Sequence, residues 1–388
     1  MMKSLFVSLS IGLGVAFSAV PAVSFPLEKI SSQQLPPELT LEAKWEDKAA
    51  LLEAINHSLQ YLDTPSAAEA YAEYPVAGIT RDRAYRSLIR FRQLLRTSPS
   101  PEAFANAVKQ EFALYQAVGQ DQQGTVHFTG YFEPVYAASR VPTTEYRYPI
   151  YRLPADFDKW SSPHPTRREL EGVAGEGKNS PLAGLEIAWL RDRLEAFLIH
   201  VQGSARLQLR DGSVLAVGYA GKTEHPYTSV GGELVQDGIF ERDELSLPRL
   251  MQYFEQHPKQ LSTYLPRNKS FVFFRETQGA PATGSLGVPV TAQRSIATDK
   301  SLMPPGALAL LHTQFPEITA NNEIKTPLVS HYALDQDTGS AIQGAGRVDI
   351  FMGTGENAGR KAGIVDWTGQ LYYLFLKAPH GGDRTRYE

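Results

Sequence analysis

The sequence predicts a mainly β protein with a helical N-terminal region, organised as two domains. Three observations lead there. The chain has 388 residues, more than one domain usually holds. Apolar residues recur at near-helical spacing between Leu41 and Leu114. After Gly124 the pattern changes to short runs of β-branched and aromatic residues bounded by Gly, Pro and Asp.

Taken in order, residues 1–24 read as a secretory signal. Lys3 supplies the positive start, Leu5 to Val20 is an uncharged apolar run, and Ala22, Val23 and Ser24 are small. An uncleaved N-terminal anchor is the alternative. Leu41, Trp45, Leu52, Ile55, Leu59 and Leu62 mark a first helix. A second begins near Thr80 and carries Leu88, Ile89, Phe91, Leu94 and Leu95. Ser100 and Pro101 then read as the N-cap and first position of a third, continued by Phe104, Val108, Phe112 and Leu114.

Strands are expected at 126–136, 148–151, 205–209 and 213–217. Asp211-Gly212 is a hairpin signal between the last two. The Pro-, Gly- and charge-rich stretch 161–184 is a long loop, and a helix is expected near 190–199. A helix over 247–264, a strand over 270–275 and a Gly/Ala-rich loop over 278–287 lead into a β-rich C-terminal region. No internal repeat or low-complexity segment is present.

Composition narrows the chemistry. Hydrophobic residues are 42% and charged residues 21%, enough for a sizeable core without disulfides or metals. A formal charge of −4 gives no electrostatic case for nucleic acid or anionic lipid. The chain has no cysteine, which removes thiolate nucleophiles, Cys-type zinc sites and cysteine lipidation. The nine histidines lack metal-ligand spacing, and His-Glu-x-x-His, Gly-x-Ser-x-Gly and Walker motifs are absent. His127, His200 and His225 read as hydrogen-bonded or surface residues. No cofactor or metal is expected.

The informative segment runs from Asp335 to Gly355. Its glycines mark tight turns, and Val348, Ile350 and Phe351 surround Asp349. A carboxyl in apolar surroundings has its charged form disfavoured, which suits a general acid near neutral pH. The lone Asp337-Thr338-Gly339 lacks the partner copy that aspartic proteases use. On spacing alone, turn capping by these aspartates remains slightly ahead of catalysis.

The run resembles the end of the 3D domain, named for three aspartates in a double-psi β-barrel. The matching residues are Asp299, Asp337 in Asp-Thr-Gly-Ser-Ala-Ile, and Asp349 in Arg-Val-Asp-Ile-Phe. Gly353-Thr354-Gly355-Glu356-Asn357-Ala358-Gly359 narrows the resemblance to the membrane-bound lytic transglycosylase A (MltA) family. So do Phe128-Thr129-Gly130-Tyr131-Phe132-Glu133-Pro134, Tyr148-Pro149-Ile150-Tyr151, His200-Val201-Gln202-Gly203-Ser204, Tyr219-Ala220-Gly221-Lys222 and His225-Pro226-Tyr227-Thr228-Ser229-Val230-Gly231.

The resemblance implies a barrel built from both chain ends, with a second barrel inserted and a glycan groove between them. The implied division is a helical part of domain 1 over 25–133, an inserted domain over 134–275, and the C-terminal 3D-type part over 276–388. The implied activity is lytic cleavage of peptidoglycan glycan strands, leaving a 1,6-anhydro-muramic acid end. Asp349 would serve as acid and then base, and Asp337 would orient the site or stabilise charge. Thr129, Tyr131, Phe132, Gln202, Gly203, Ser204, Lys222, Tyr227 and Ser229 are the implied glycan-binding residues. The implied location is the periplasm, with no integral span in the mature chain. The competing readings are a glycan-binding protein without catalysis, and a muramidase in which Glu133 supplies a second carboxylate.

Overall fold

The computed structural model describes residues 25–31, 34–42 and 47–378. The expected signal over 1–24 and Trp45 lie outside these residues.

The chain opens with strand β1 (Leu27–Ile30) and four helices: α1 (Lys48–Leu62), α2 (Pro65–Ala72), α3 (Arg81–Thr97) and α4 (Pro101–Glu111). Local chemistry sets their starts. The hydroxyls of Thr64, Thr80 and Ser100 accept the N–H groups of Ala67, Arg83 and Ala103, and Pro65 and Pro101 occupy first helical positions. Phe112 and Leu114 do not continue the third predicted helix. They belong to β2 (Phe112–Ala117), which pairs with β1 on one side and with the C-terminal strand on the other. The two ladders satisfy its backbone in extended form, so tertiary pairing overrides the helical spacing.

Next come β3 (Val126–Glu133) and β4 (Val135–Ser139), separated by Pro134, which has no N–H for a ladder. The middle of the chain contains β5 (Tyr148–Tyr151), α5 (Arg167–Glu171), β6 (Glu186–Leu190), α6 (Arg193–Gln202), β7 (Ser204–Leu209), β8 (Val214–Lys222), α7 (Val230–Gln236), α8 (Leu247–Gln256), α9 (Leu261–Tyr264) and β9 (Val272–Glu276). The hairpin at Asp211-Gly212 forms, with Gly212 at φ 86°. The expected helix at 247–264 breaks at His257-Pro258, because proline cannot donate within a helix. Leu190 ends a strand rather than starting a helix. Asp192 caps α6 instead, accepting from Leu194 and Glu195.

The C-terminal part supplies β10 (Ser295–Ala297), β11 (Leu308–Gln314), the short pair β12 (Glu317–Ile318) and β13 (Ile324–Lys325), β14 (Leu328–Asp337), β15 (Arg347–Thr354), α10 (Glu356–Ala362) and β16 (Asp366–Leu376). Strands β16, β11, β14, β10, β15 and β3 neighbour one another in that order, and β3 pairs back onto β16. The result is a closed ring of six strands containing the parallel pairs β3–β15 and β10–β14. It is the architecture expected of the double-psi barrel. The second sheet runs β5-β6-β4-β7-β8-β9, and a bridge from Arg152 to Phe274 joins its two edges.

Helices α1 to α4 cover the first barrel and share its core. Leu88, Phe91 and Phe104 are buried in the same cluster as Leu310, Tyr332 and Tyr373. One polar side chain ties the layers together. Gln336 is fully buried; its Nε2 donates to Ala54 O at 2.8 Å and Ser58 Oγ at 3.0 Å, and its Oε1 accepts from Ser295 Oγ. Replacing Gln336 with Leu strands these partners without water. The expected loss is about 3 kcal/mol of unfolding free energy, read from urea denaturation.

Candidate active site

The two barrels meet along β3. Three residues of this strand, His127, Thr129 and Tyr131, pair with Arg347, Asp349 and Phe351 of β15. Opposite residues of paired strands share a face, and alternation puts i and i+2 on that same face. One face therefore gathers all six residues. Phe128 and Phe132, on the alternate face, point into the core and are buried.

Asp349 is the carboxyl on this face. Thr129 Oγ1 donates to Asp349 Oδ1 at 2.9 Å, and Arg347 Nη2 donates to Thr129 Oγ1 at 3.0 Å. The carboxyl is half-buried. Its crowding by protein raises its pKa from 3.8 to about 6, with Asp337 adding to the rise; the Thr129 hydrogen bond and the Arg347 charge oppose it. A carboxylic acid of this kind is partly protonated near neutral pH and can donate a proton and take one back.

Asp337 lies one strand over on the other side. A β-bulge in the β10–β14 pairing sets Asp337 beside Ala297, and Ala297 is also the partner of Asp349 in β15. The two aspartates thus flank one strand, with Cα atoms roughly 10 Å apart at two strand spacings. Asp337 accepts from Tyr131 OH at 2.7 Å and from the N–H groups of Ser285 and Thr338, each at 2.8 Å. Burial raises its pKa against these donors.

The other acidic residues are engaged elsewhere. Asp299 accepts from Ser301 and from Gly344 N, which makes it a turn cap. Asp335 is fully buried and paired with Lys300, with further donors in Thr298 and Tyr373. Glu133, the second carboxylate of the muramidase reading, is buried. It receives Arg206 Nε at 2.9 Å and Thr354 Oγ1 at 2.7 Å. It also lies four residues along β3 from Thr129, roughly 13 Å at the usual strand rise. That arrangement ties the barrels together and leaves Glu133 remote from Asp349 along the strand.

The expected glycan-binding residues separate into groups. Tyr131 is on the Asp349 face, with its ring 5.2 Å from that of Phe351. Phe132 is a correction: its ring is buried against α10, so close that a Cβ on Gly359 would sit 2.8 Å from it. It has no face left for a sugar. Gln202 ends α6, and its Oε1 accepts from Phe132 N at 2.9 Å, linking the second barrel to β3. Gly203 follows at φ 80°, a left-handed cap that favours glycine, and Ser204 begins β7.

Lys222 ends β8, and no ion pair of it is seen among the described residues. Tyr227 belongs to the second barrel, and the Asp349 and Arg347 charges both bear on its hydroxyl. Ser229 caps α7 by accepting from Gly232 N. Sequence reading passed over Arg347 and Arg206. A period-two reading of 347–351 against 127–131 would have put Arg347 on the acid's face. Arg206 gave no local signal.

Residues 127–275 match the family model described as the MltA specific insert domain, and residues 294–375 match the 3D domain. The chain is 32% identical over 271 residues to membrane-bound lytic murein transglycosylase A of Escherichia coli strain K12, covering 69% of this chain and 70% of that protein. The crystal structure of membrane-bound lytic murein transglycosylase from Agrobacterium tumefaciens superposes with TM-score 0.70 at 27% identity, covering 91% of this chain and 98% of that one. The structure of E. coli MltA with bound chitohexaose gives TM-score 0.70 at 25% identity, covering 91% and 95%.

The raised pKa of Asp349 has a thermodynamic sign. The native state binds this proton more tightly than the unfolded chain does. The associated stabilisation is full below pH 3.8 and is lost as pH rises through about 6. At pH 7 the ionised carboxyl therefore weighs against folding. Asp349→Asn is expected to be more stable than the wild type at pH 7 by about 2 kcal/mol, after discounting for the solvent the group still meets. That difference should close below about pH 4, checked by denaturation at several pH values.

Proposed function

The chain belongs to the membrane-bound lytic murein transglycosylase A family, and on that footing we infer that Asp349 is the single acid and base with which it cuts glycan strands. The protein is a peptidoglycan lytic transglycosylase, a carbon–oxygen lyase acting on the β-1,4 bond between N-acetylmuramic acid and N-acetylglucosamine. The observation that carries the role of Asp349 is its half-buried carboxyl, raised to about 6 and held by Thr129 where the second barrel's Tyr227 approaches.

Protonated Asp349 gives its proton to the glycosidic oxygen, and the bond to the muramyl C1 breaks. The resulting carboxylate accepts the proton of the C6 hydroxyl of the same sugar, whose oxygen closes on C1. The products are a free N-acetylglucosamine hydroxyl and a 1,6-anhydro ring, and the enzyme regains its starting protonation. An internal nucleophile is already held near C1, so no water needs activation and one carboxylate suffices. Asp337, held by three donors, stabilises positive charge at C1 and fixes Tyr131. Thr129, Tyr131, Gln202, Gly203, Ser204, Lys222, Tyr227 and Ser229 remain the residues proposed to meet the glycan.

The division into 25–133, 134–275 and 276–388 is proposed as one barrel interrupted by another. Its support is that the chain leaves the first ring at Glu133 and returns to it after Glu276. The relatives are named membrane-bound. Among the described residues no helix is long and apolar enough to cross a membrane. We propose an exported enzyme working in the periplasm, supported by the apolar run from Leu5 to Val20.

Digestion of purified sacculi followed by mass spectrometry is expected to release muropeptides with anhydro ends. Hydrated reducing ends would make the enzyme a muramidase, and binding without release would make it a glycan-binding protein. Asp349→Asn is expected to lower turnover at least about a thousandfold while the far-UV circular dichroism stays unchanged.

A further inference from the structure

The face shared by β3 and β15 carries an unbroken hydrogen-bond chain that the reaction as written does not use. Arg347 Nη2 donates to Thr129 Oγ1 at 3.0 Å, and Thr129 Oγ1 donates to Asp349 Oδ1 at 2.9 Å. On the other side Arg347 Nη1 donates to His127 Nδ1, and His127 Nε2 meets Asp366 Oδ1 at 2.5 Å. A guanidinium only donates, so the direction of each bond follows. His127 accepts at Nδ1 and carries its hydrogen at Nε2, toward Asp366. Thr129 accepts from Arg347, and its own single hydrogen turns to Asp349 Oδ1.

The consequence concerns which oxygen of the acid holds the catalytic proton. An oxygen already receiving the Thr129 hydrogen is a poor seat for a second one. We propose that Arg347 is a positioning residue which, acting through Thr129, reserves Oδ1 of Asp349 as an acceptor and assigns the transferable proton to Oδ2. The His127–Asp366 pair anchors the far end of the guanidinium, so that its fork cannot swing away from Thr129. This rests on the reading of Asp349 as the acid. The groups facing Asp349 are Thr129 and Tyr131 from β3, Arg347 on its own strand, Asp337 from β14 and Tyr227 from the second barrel. β10 presents only Ala297. Arg347 is the cation among them, and it and Thr129 favour the ionised form, whereas Asp337 disfavours it.

The test is the pH profile of kcat/KM on sacculi, whose alkaline limb reports loss of the proton from the free enzyme's acid. Arg347→Met removes the charge and frees the Thr129 hydroxyl, and Thr129→Val removes the hydroxyl alone. Each is expected to move the limb upward by about one pH unit. The double variant should move it little further than Arg347→Met, because both break one chain. A limb that stays in place in Thr129→Val and Arg347→Met, with activity falling equally at all pH values, overturns the relay; so do two shifts that simply add. Asp349→Asn run in parallel separates the two levels. Turnover persisting in that variant overturns the assignment of the acid, whereas an inactive Asp349→Asn beside an unmoved limb overturns the relay alone.

Discussion

The parallel pairing of β3 with β15 is the constraint on which the site depends. It brings Thr129 beside Asp349 across 220 positions of sequence. Strand β3 comes from the N-terminal part of the chain and β15 from the C-terminal part, and the ring closes only when β3 also pairs with β16. Asp349 therefore has its partner only after the two ends have met around an inserted barrel. Non-local pairing of this kind is slow to form, because loop closure precedes the contacts that reward it. The helices α1 to α4 lower that difficulty by supplying local structure that shares the barrel core.

The same scaffold gives neighbouring carboxylates different environments, and the differences assign their roles. Asp335 is paired with a half-buried lysine, and Asp299 closes a turn. Glu133 is spent on an ion pair with Arg206 that joins the barrels. At Asp337 and Asp349 burial wins over the donors and raises the pKa. Asp337 has three donors around it, while Asp349 has one from Thr129 and an arginine behind that. The less satisfied carboxyl is the one suited to exchanging a proton with a ligand. Gly130 keeps this strand close to α10: a Cβ there would lie 2.8 Å from Ala362 Cα.

Much of the fold was legible because its signals are local. Thr80, Ser100 and Pro101 start helices through bonds within a few residues, and Asp211-Gly212 turns a hairpin by its own backbone preference. Phe112 and Leu114 were misread because the partners of their strand, β1 and β16, lie far away in sequence. Asp349 was legible only by resemblance, since a carboxyl among apolar residues reads equally as a turn cap. Phe132 was misplaced although alternation with Thr129 and Tyr131 separates it from them. The Glu133–Arg206 pair joins two barrels, and no spacing within one strand announces it.

In the proposed reaction one carboxyl exchanges both protons. The most direct test is a crystal structure of Asp349→Asn with a bound peptidoglycan fragment spanning the scissile bond. The glycosidic oxygen and the muramyl C6 hydroxyl should then both lie within hydrogen-bonding reach of the residue 349 side chain, with Glu133 still on Arg206. A scissile bond lying against another carboxylate, with a water held opposite, would contradict it.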